Sequence, residues 1–286
     1  MPFGQRTIQE RISSEYYHLT TAERKVADYV VAHQRDTQFM SISDLAEACG
    51  VAEATVSRFC RRLNYKGYNA FKLAVANTTA QRPGELFLSG EISVEDSVPD
   101  LCQKLYSTEI EALSQTLAMI HAEDILAAAD VLRRAKRVLC MGQGGSMIMA
   151  EEAAHLFSTA MPGFSPVSDS HLQLIAATTL TAEDAVLFFS YSGATRELMD
   201  LLEVVRQRKA KVILVTHFPK SPAAGLSDII LQCGANEGPL QLGSIPARMA
   251  QLFLVDILFT EVCRRDETAA KEVRERVADA LSTKHI

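Results

Sequence analysis

The sequence predicts two domains of different fold class: an all-α domain at the N-terminus and an α/β domain with a parallel sheet at the C-terminus. Residues 5–75 carry apolar side chains at helical spacing, interrupted by cap and turn signals. Residues 81–100 contain two prolines, two glycines and several acids, a composition typical of a linker. From Arg137 onward, short apolar runs alternate with helix-length segments, which predicts right-handed βαβ units with helices on both faces of the sheet.

The domain boundaries follow from these changes in pattern. We expect a helical domain over residues 1–80, a linker over 81–104 and an α/β domain over 105–286. A helical stretch at 101–135 opens with an apolar stripe formed by Leu101, Leu105, Ile110, Leu113, Leu117 and Ile120. Strands are predicted at 137–141, 164–167, 185–189, 211–215 and 228–231, and two final helices at 244–264 and 266–282.

The helical domain contains two short helices joined by a tight turn. Thr20 and Glu23 form a capping box for an earlier helix. Ser43 is expected to cap the first helix of the pair, and Gly50 to end it in a left-handed turn. The second helix is predicted from Glu53 to Leu63, with an inward face formed by Val56, Phe59, Cys60 and Leu63. This spacing is typical of a helix-turn-helix, although the expected N-cap position holds Ala52, which cannot cap.

The outward face of the second helix is the candidate DNA-binding surface. Hydroxyl groups there suit phosphate oxygens, and Arg58 can reach a guanine with two hydrogen bonds. The alternative is a charged face that only meets solvent. We assign to DNA binding Glu53, Ala54, Thr55, Ser57, Arg58, Arg61, Arg62 and Lys66.

The charge distribution favours the DNA interpretation. The whole chain has a net charge of −6, yet residues 1–80 hold ten Lys and Arg against eight acids. Residues 51–72 hold five basic residues and one acid, Glu53. A local basic patch on an acidic protein is typical of a modular DNA-binding protein.

Several classes of protein are disfavoured by composition. The N-terminus lacks the pattern of a secretion signal, and no apolar run approaches the roughly 20 residues that span a bilayer, so we expect a cytoplasmic protein without a membrane partner. The six cysteines are scattered without the spacing of a metal site or a disulfide framework, and we expect core cysteines and no bound metal.

Two loops of the α/β domain carry the signals for a ligand. The first strand runs into Gly142-Gln-Gly-Gly-Ser146, where Met147 breaks the dinucleotide fingerprint, so no nicotinamide cofactor is expected. The third strand runs into Ser190-Tyr-Ser-Gly-Ala-Thr195, where hydroxyls around a glycine at a helix N-terminus can cradle a phosphate. Runs of this kind are also found as simple turns. We assign to the binding of a phosphorylated ligand Gly144, Gly145, Ser146, Ser190, Tyr191, Ser192, Gly193, Thr195 and His171.

Both halves resemble known families. Leu19–Tyr29, Ser41–Ala46, Thr55–Leu63 and Gly67–Lys72 match motifs of RpiR-type regulators, which usually have Ser at position 52 and Gly at position 64. Gly142–Ser146 and Ser190–Glu197 match the sugar isomerase (SIS) domain, and the similarity extends through Ser221–Asp228 and Ser244–Asp256. The resemblance implies a doubly wound, flavodoxin-type sheet of five strands that binds a phosphosugar, in a chain that binds DNA.

Together these features predict a DNA-binding regulator of sugar metabolism genes that senses a phosphosugar and is not an enzyme. Its partners are expected to be double-stranded operator DNA and a second copy of itself, in a homodimer or homotetramer. The main alternative is a sugar-phosphate isomerase or lyase, whose acid and base would come from Glu151, Glu152, His155, His171, His217 and Glu237. A purely structural dimerisation protein is disfavoured, because it would not need Ser190, Ser192 and Thr195 together.

Overall fold

A computed structural model describes residues 8–80, 92–93, 95–235 and 244–282 of the chain. The described residues form two compact units, one from residues 8–80, 92–93, 95–108 and 244, and one from residues 109–235 and 245–282. Half of the predicted linker lies outside the described residues, and a helix begins at Val98, within the predicted linker range. The domain boundaries given above therefore stay a prediction.

The first unit is helical, as predicted. After a short 3₁₀ turn at Tyr16–His18, the chain continues in helices until Ala80. The helices of this unit are α1 (Ile8–Glu15), α2 (Thr21–Ala32), α3 (Gln34–Thr37), α4 (Ile42–Cys49), α5 (Glu53–Arg62) and α6 (Tyr68–Ala80).

Local capping signals set the helix ends in this unit. The predicted capping box of Thr20 and Glu23 is confirmed at the start of α2. The prediction for α4 was wrong, because Ser41 caps this helix together with Asp44, and Ser43 lies inside the helix. Gly50 ends α4 in the left-handed region with φ of 60°, as predicted. Asn64, at a position where RpiR-type regulators usually have glycine, also has a positive φ, of 64°.

The core of the first unit lies between α2, α4, α5 and α6. The predicted inward face of α5 is confirmed, since all four of its side chains are buried, and Phe59 meets Phe71 edge to face. Burial of a Phe side chain stabilises the fold by about 1.5–3 kcal/mol. The core residues hold α5 at a fixed orientation in the unit.

The second unit alternates strands and helices, as predicted, although the helical region at 101–135 divides in two near Ile120. The predicted apolar stripe of its first helix is not its buried face: Ala112 and Thr116 are buried, whereas Leu105, Ile110 and Leu117 are exposed. The elements are α7 (Val98–Met119), of which the residues from Glu109 onward belong to this unit, α8 (Ala122–Arg134), β1 (Val138–Gly142), α9 (Gly145–Ser158), β2 (Phe164–Val167), α10 (Ser170–Thr178), β3 (Ala185–Phe189), α11 (Arg196–Gln207), β4 (Lys211–Thr216), β5 (Ile229–Gln232), α12 (Ile245–Arg265) and α13 (Glu267–Ser282).

The five strands form one parallel sheet in the order β2-β1-β3-β4-β5, which confirms the doubly wound, flavodoxin-type architecture. Alternate side chains of the central strands enter two separate cores. Helices α8, α9 and α12 cover one face, and α10 and α11 cover the other. Helix α9 after β1 and helix α11 after β3 therefore leave neighbouring strands on opposite faces, which opens a crevice at the carboxyl ends of β1 and β3.

The cysteine prediction is confirmed in part. Cys49, Cys60, Cys140 and Cys233 are buried, and burial raises the pKa of the Cys140 thiol to about 12. Cys102 is exposed, so it was wrongly predicted as a core residue. Cys102 lies in the first half of α7 (Val98–Met119), on a face that is exposed to solvent.

Asp184 anchors the start of β3 from a buried position. Its carboxylate accepts hydrogen bonds from Nη2 of Arg137 at 2.9 Å and from the backbone N–H of Thr181 at 2.8 Å. The hydrogen bond from Arg137, followed by those from Thr181, outweighs burial and lowers the pKa of Asp184 from 3.8 to about 2. Stabilisation by this carboxylate is therefore complete above its unfolded-state pKa and is lost as the pH falls through about 2.

We expect Asp184→Asn to lower the free energy of unfolding by about 2 kcal/mol at neutral pH and by much less near pH 2, since there about half of the folded-state carboxyl and nearly all of the unfolded-state carboxyl are protonated. Urea unfolding at the two pH values measures the difference. Glu183→Gln is the matched control, because its exposed ion pair with Lys136 contributes less than about 1 kcal/mol. An equal decrease in the free energy of unfolding for Asp184→Asn at both pH values would show that the ionised Asp184 carboxylate does not stabilise the fold.

Candidate DNA-binding surface and ligand-binding loops

Helices α4 and α5 form the predicted helix-turn-helix. Helix α5 packs against both α2 and α4, and the turn between α4 and α5 is closed by a hydrogen bond from Val51 N–H to the carbonyl of Ala46. Ala52 occupies the N-cap of α5 without a side-chain cap, as predicted. The first-turn N–H groups of α5 therefore lack a side-chain partner from Ala52, and Glu53 places its negative charge at the positive end of the helix.

Most of the residues assigned to DNA binding are exposed. These are Glu53, Ala54, Arg58, Arg61, Arg62 and Lys66, while Ser57 is half-buried. Thr55 was wrongly placed on this surface, because it is only 6% exposed and its Oγ1 accepts a hydrogen bond from Nη2 of Arg58. Among the described residues, Arg61 and Lys66 make no ion pair or hydrogen bond through their side chains, so both cations face solvent.

Arg62 has partners within the unit that the sequence did not reveal. Its Nη1 donates to the carbonyl of His18 at 2.9 Å, and its Nε lies 3.5 Å from Oε1 of Glu23. The Glu23 side chain is 3% exposed and also accepts hydrogen bonds from Thr20. Burial raises the pKa of Glu23, but the bonds from Thr20 and the charges of Arg62 and Arg58 leave it below its ordinary value. Glu23 therefore stays ionised and ties the end of α5 to the start of α2.

The two predicted ligand loops lie side by side at the carboxyl edge of the sheet, because β1 pairs with β3 up to Gly142 and Phe189. In the first loop, Gly144 adopts φ of 55° and ψ of −128°, a conformation favoured by glycine, and Gly145 and Ser146 begin α9. A Cβ at Gly142 would lie 2.6 Å from the carbonyl oxygen of Ser146. Glycine is thus required for this tight strand-to-helix turn.

The second loop places hydroxyls around Gly193 at the start of α11. The Ser190 hydroxyl is buried and accepts a hydrogen bond from the N–H of Gly193 at 3.1 Å. Ser192 is exposed, and Thr195 occupies the N-cap of α11 without making a side-chain cap bond. The Thr195 hydroxyl is therefore not engaged in capping, and the first N–H groups of α11 face the loop.

The end of β4 and the loop that follows it support this second ligand loop. The hydroxyl of Thr216 donates to the carbonyl of Tyr191 at 3.0 Å, and the N–H of Ala223 donates to the carbonyl of Gly193 at 3.0 Å. Gly193 has φ of 57°, and a Cβ there would lie 2.1 Å from Oγ of Ser221. The sequence did not assign these supporting residues, although Ser221 and Ala223 lie within the SIS similarity at Ser221–Asp228.

The Tyr191 hydroxyl is turned toward the protein. It donates to the carbonyl of Ala235 at 2.9 Å, and its ring stacks on His217 at 5.0 Å between centroids. We therefore place Tyr191 as an anchor of the loop. His171 is exposed in the first turn of α10, a helix capped by Asp169.

The side chains considered for catalysis do not form an acid–base pair within the described residues. Glu151, Glu152 and His155 are exposed on α9, and Nδ1 of His217 lies 2.9 Å from the carbonyl oxygen of Cys233. Glu237 lies outside the described residues. The described part of the chain also has no cluster of three or more His, Cys, Asp or Glu that could hold a metal ion. None of its helices combines the length and apolarity needed to cross a membrane.

Both parts of the chain match the models of known domain families. Residues 6–82 match the model of the rpiR family helix-turn-helix domain, and residues 131–261 match that of the SIS domain. A helix-turn-helix regulator from Caldanaerobacter subterraneus is 31% identical over 98% of this chain and 97% of its own length. The Escherichia coli regulator HexR is 28% identical over 95% of this chain and 93% of its own length.

A solved structure supports the same assignment across nearly the whole chain. The Vibrio vulnificus NanR protein, complexed with ManNAc-6P, is 26% identical, with a TM-score of 0.84 over 97% of this chain and 98% of that one. The sugar isomerase domain of an RpiR transcription factor from Sphaerobacter thermophilus shares the fold of the C-terminal part, with a TM-score of 0.57 over 63% of this chain and 98% of that one, at 23% identity. The helix-turn-helix, the doubly wound sheet and the full-length relatives agree: the chain belongs to the RpiR family of helix-turn-helix transcriptional regulators with a C-terminal SIS domain.

Proposed function

We propose that this regulator binds a phosphorylated sugar in the crevice between the loops after β1 and β3, and that the ligand changes its affinity for operator DNA. The observation that carries the proposal is the second loop, where Ser190, Ser192 and Thr195 surround Gly193 at the N-terminus of a 12-residue helix. Hydroxyls and helical N–H groups supply hydrogen bonds and a positive dipole, which together suit a phosphate dianion.

The first loop supplies the second side of the site. Gly144, Gly145 and Ser146 lie at the start of α9, just after β1, which is the strand next to β3, so a sugar attached to the phosphate can extend across the crevice. His171 is a further candidate for contact with the sugar. The NanR complex with ManNAc-6P supports a phosphosugar as the ligand class.

We infer that the chain senses its ligand without converting it. Isomerisation needs a general base beside the substrate carbon. Of the side chains considered for that role, Glu151, Glu152 and His155 are exposed on α9, and Nδ1 of His217 lies 2.9 Å from the carbonyl oxygen of Cys233. The DNA-binding unit offers a role for the ligand other than as a substrate. A phosphosugar that binds one conformation of the regulator more tightly than another shifts the populations of the two, and this changes the affinity for operator DNA. Two half-sites about 34 Å apart require two helix-turn-helix units, so the regulator acts as a homodimer or homotetramer.

A thermal-shift screen tests the ligand proposal. The full chain is mixed with N-acetylmannosamine 6-phosphate, glucosamine 6-phosphate, fructose 6-phosphate and the matching unphosphorylated sugars. At 100 times its Kd, a ligand adds about 2.7 kcal/mol to the free energy of unfolding, which is seen as a higher Tm. We expect a shift with at least one phosphosugar and none with the unphosphorylated sugars.

The triple variant Ser190→Ala, Ser192→Ala and Thr195→Ala tests the site itself. We expect it to lose the shift, because each hydrogen bond to a charged group contributes about 1.5–3 kcal/mol. Thr178→Ala with Thr179→Ala is the control, since these exposed hydroxyls bond only within α10. Equal shifts for wild type and the triple variant would refute the site, and turnover at about 1 s⁻¹ or faster would favour the isomerase alternative.

A further inference from the structure

The C-terminal half of α7 is built into the support of the second ligand loop. The N–H of Gly234 donates to Oγ1 of Thr116 at 2.9 Å, and the N–H of Ala235 donates to Oε1 of Gln115 at 3.2 Å. The carbonyl of the same Ala235 accepts the hydrogen bond from the Tyr191 hydroxyl. A short chain of hydrogen bonds therefore joins α7 to Tyr191, which lies between Ser190 and Ser192 in the second ligand loop.

The contact between α7 and Gly234 is very close. A Cβ at Gly234 would lie 2.6 Å from Cβ of Gln115, 2.8 Å from N of Thr116 and 2.9 Å from the carbonyl oxygen of Ala112. Only glycine permits this approach. The side chains of Ala112, Ala235 and Tyr191 meet in one small apolar cluster.

The backbone at Ala235 needs this support. Its φ of 73° is costly for a residue with a Cβ, and the hydrogen bonds to Gln115 and Tyr191 fix both its N–H and its carbonyl. Thr116 is fully buried, and its hydroxyl donates to the carbonyl of Ala112 while it accepts from Gly234. The hydroxyl thus satisfies an N–H that would otherwise be buried without a partner.

We propose that Gln115 and Thr116 are positioning residues of the phosphosugar site, acting through Gly234 and Ala235 on Tyr191. They lie outside the matched SIS residues 131–261, so the match does not assign them. The proposal rests on the proposed phosphosugar function. By holding the Tyr191 side chain, they fix the directions of Ser190 and Ser192 before the ligand arrives, which lowers the ordering cost of binding.

The test uses Thr116→Val, which keeps the shape of the side chain and removes the hydroxyl. Affinity for N-acetylmannosamine 6-phosphate and for inorganic phosphate, measured by calorimetry on the full chain, should fall by about fivefold or more, and Thr116→Ser should restore it. Thr108→Val is the matched control, because the Thr108 hydroxyl donates to the carbonyl of Lys104 on the same helix. Gln115→Met removes the second hydrogen bond and serves if Thr116→Val does not fold.

A double-mutant cycle with Tyr191→Phe separates positioning from general stability. If α7 acts through the Tyr191 hydroxyl, Thr116→Val should cost much less affinity in the Tyr191→Phe background than in wild type. Additive losses, or unchanged affinity in both Thr116→Val and Gln115→Met, would overturn the proposal. Failure of wild type to bind either probe or any phosphosugar of the thermal-shift screen would contradict the proposed function itself, and this inference would fall with it.

Discussion

Gly193→Ala is expected to lower phosphosugar affinity by about 100-fold or more. Gly193 has φ of 57°, and an added methyl group would meet the buried Ser221 side chain. The conformational strain costs about 1–2 kcal/mol and the overpacking about 1–3 kcal/mol, and relief of either moves the loop that holds the phosphate. Calorimetric titration with the phosphosugar from the thermal-shift screen measures the loss.

Gly225→Ala is the matched control for this substitution. Gly225 lies in the 3₁₀ turn Ala224–Leu226, where an added Cβ has no heavy atom within 4 Å. Its phosphosugar affinity should equal that of wild type. Wild-type affinity in a folded Gly193→Ala protein would show that the second loop does not hold the ligand.

Arg62→Ala is expected to destabilise the helix-turn-helix unit by about 2 kcal/mol and to leave the salt dependence of DNA binding unchanged. Removal of the guanidinium leaves the buried carboxylate of Glu23 without its ion pair and the carbonyl of His18 without its donor. A guanidinium that keeps these partners in the DNA complex neutralises no phosphate, so its removal leaves the number of released counterions unchanged. Urea unfolding and gel shifts over a range of salt concentrations measure the two quantities.

Lys66 and Arg58 are expected to behave differently from Arg62, because we assign both of them to contacts with DNA. Lys66→Ala should reduce the salt slope by about 0.9, because an exposed cation that contacts a phosphate releases one counterion. Arg58→Ala should cost about 1–3 kcal/mol of operator affinity and relax the base preference. A reduced slope for Arg62→Ala with unchanged stability would place Arg62 on the DNA instead.

The strands and the ligand loops could be predicted because their signals are local. Buried parallel strands are continuous apolar runs, and all five were predicted within one residue of their observed ends. The glycine and hydroxyl residues after β1 and β3 occupy the turns that the strand ends place together. Periodicity also separated the two sides of α5, since its inward face is decided by large apolar side chains.

The rest depends on contacts between distant parts of the chain. Periodicity assigns faces but not partners, so it missed the pairing of Arg62 with Glu23 and the burial of Thr55 beneath Arg58. Periodicity also predicted that the leucines of α7 form its buried face. Ala112 and Thr116 are buried instead, because Gly234 packs closely against them. Thr216, at the end of β4, and Ser221, in the loop after β4, both lie beside Gly193, a contact that only the folded sheet creates.

The central claim is that phosphosugar binding and operator binding are linked. The most direct measurement is the affinity of the full chain for an operator selected from random DNA, with and without the phosphosugar from the thermal-shift screen at saturating concentration. The account predicts a change of about 5–150-fold, in either direction, that is absent in the Ser190, Ser192 and Thr195 triple alanine variant. Operator affinity that is the same with and without every phosphosugar the protein binds would contradict it.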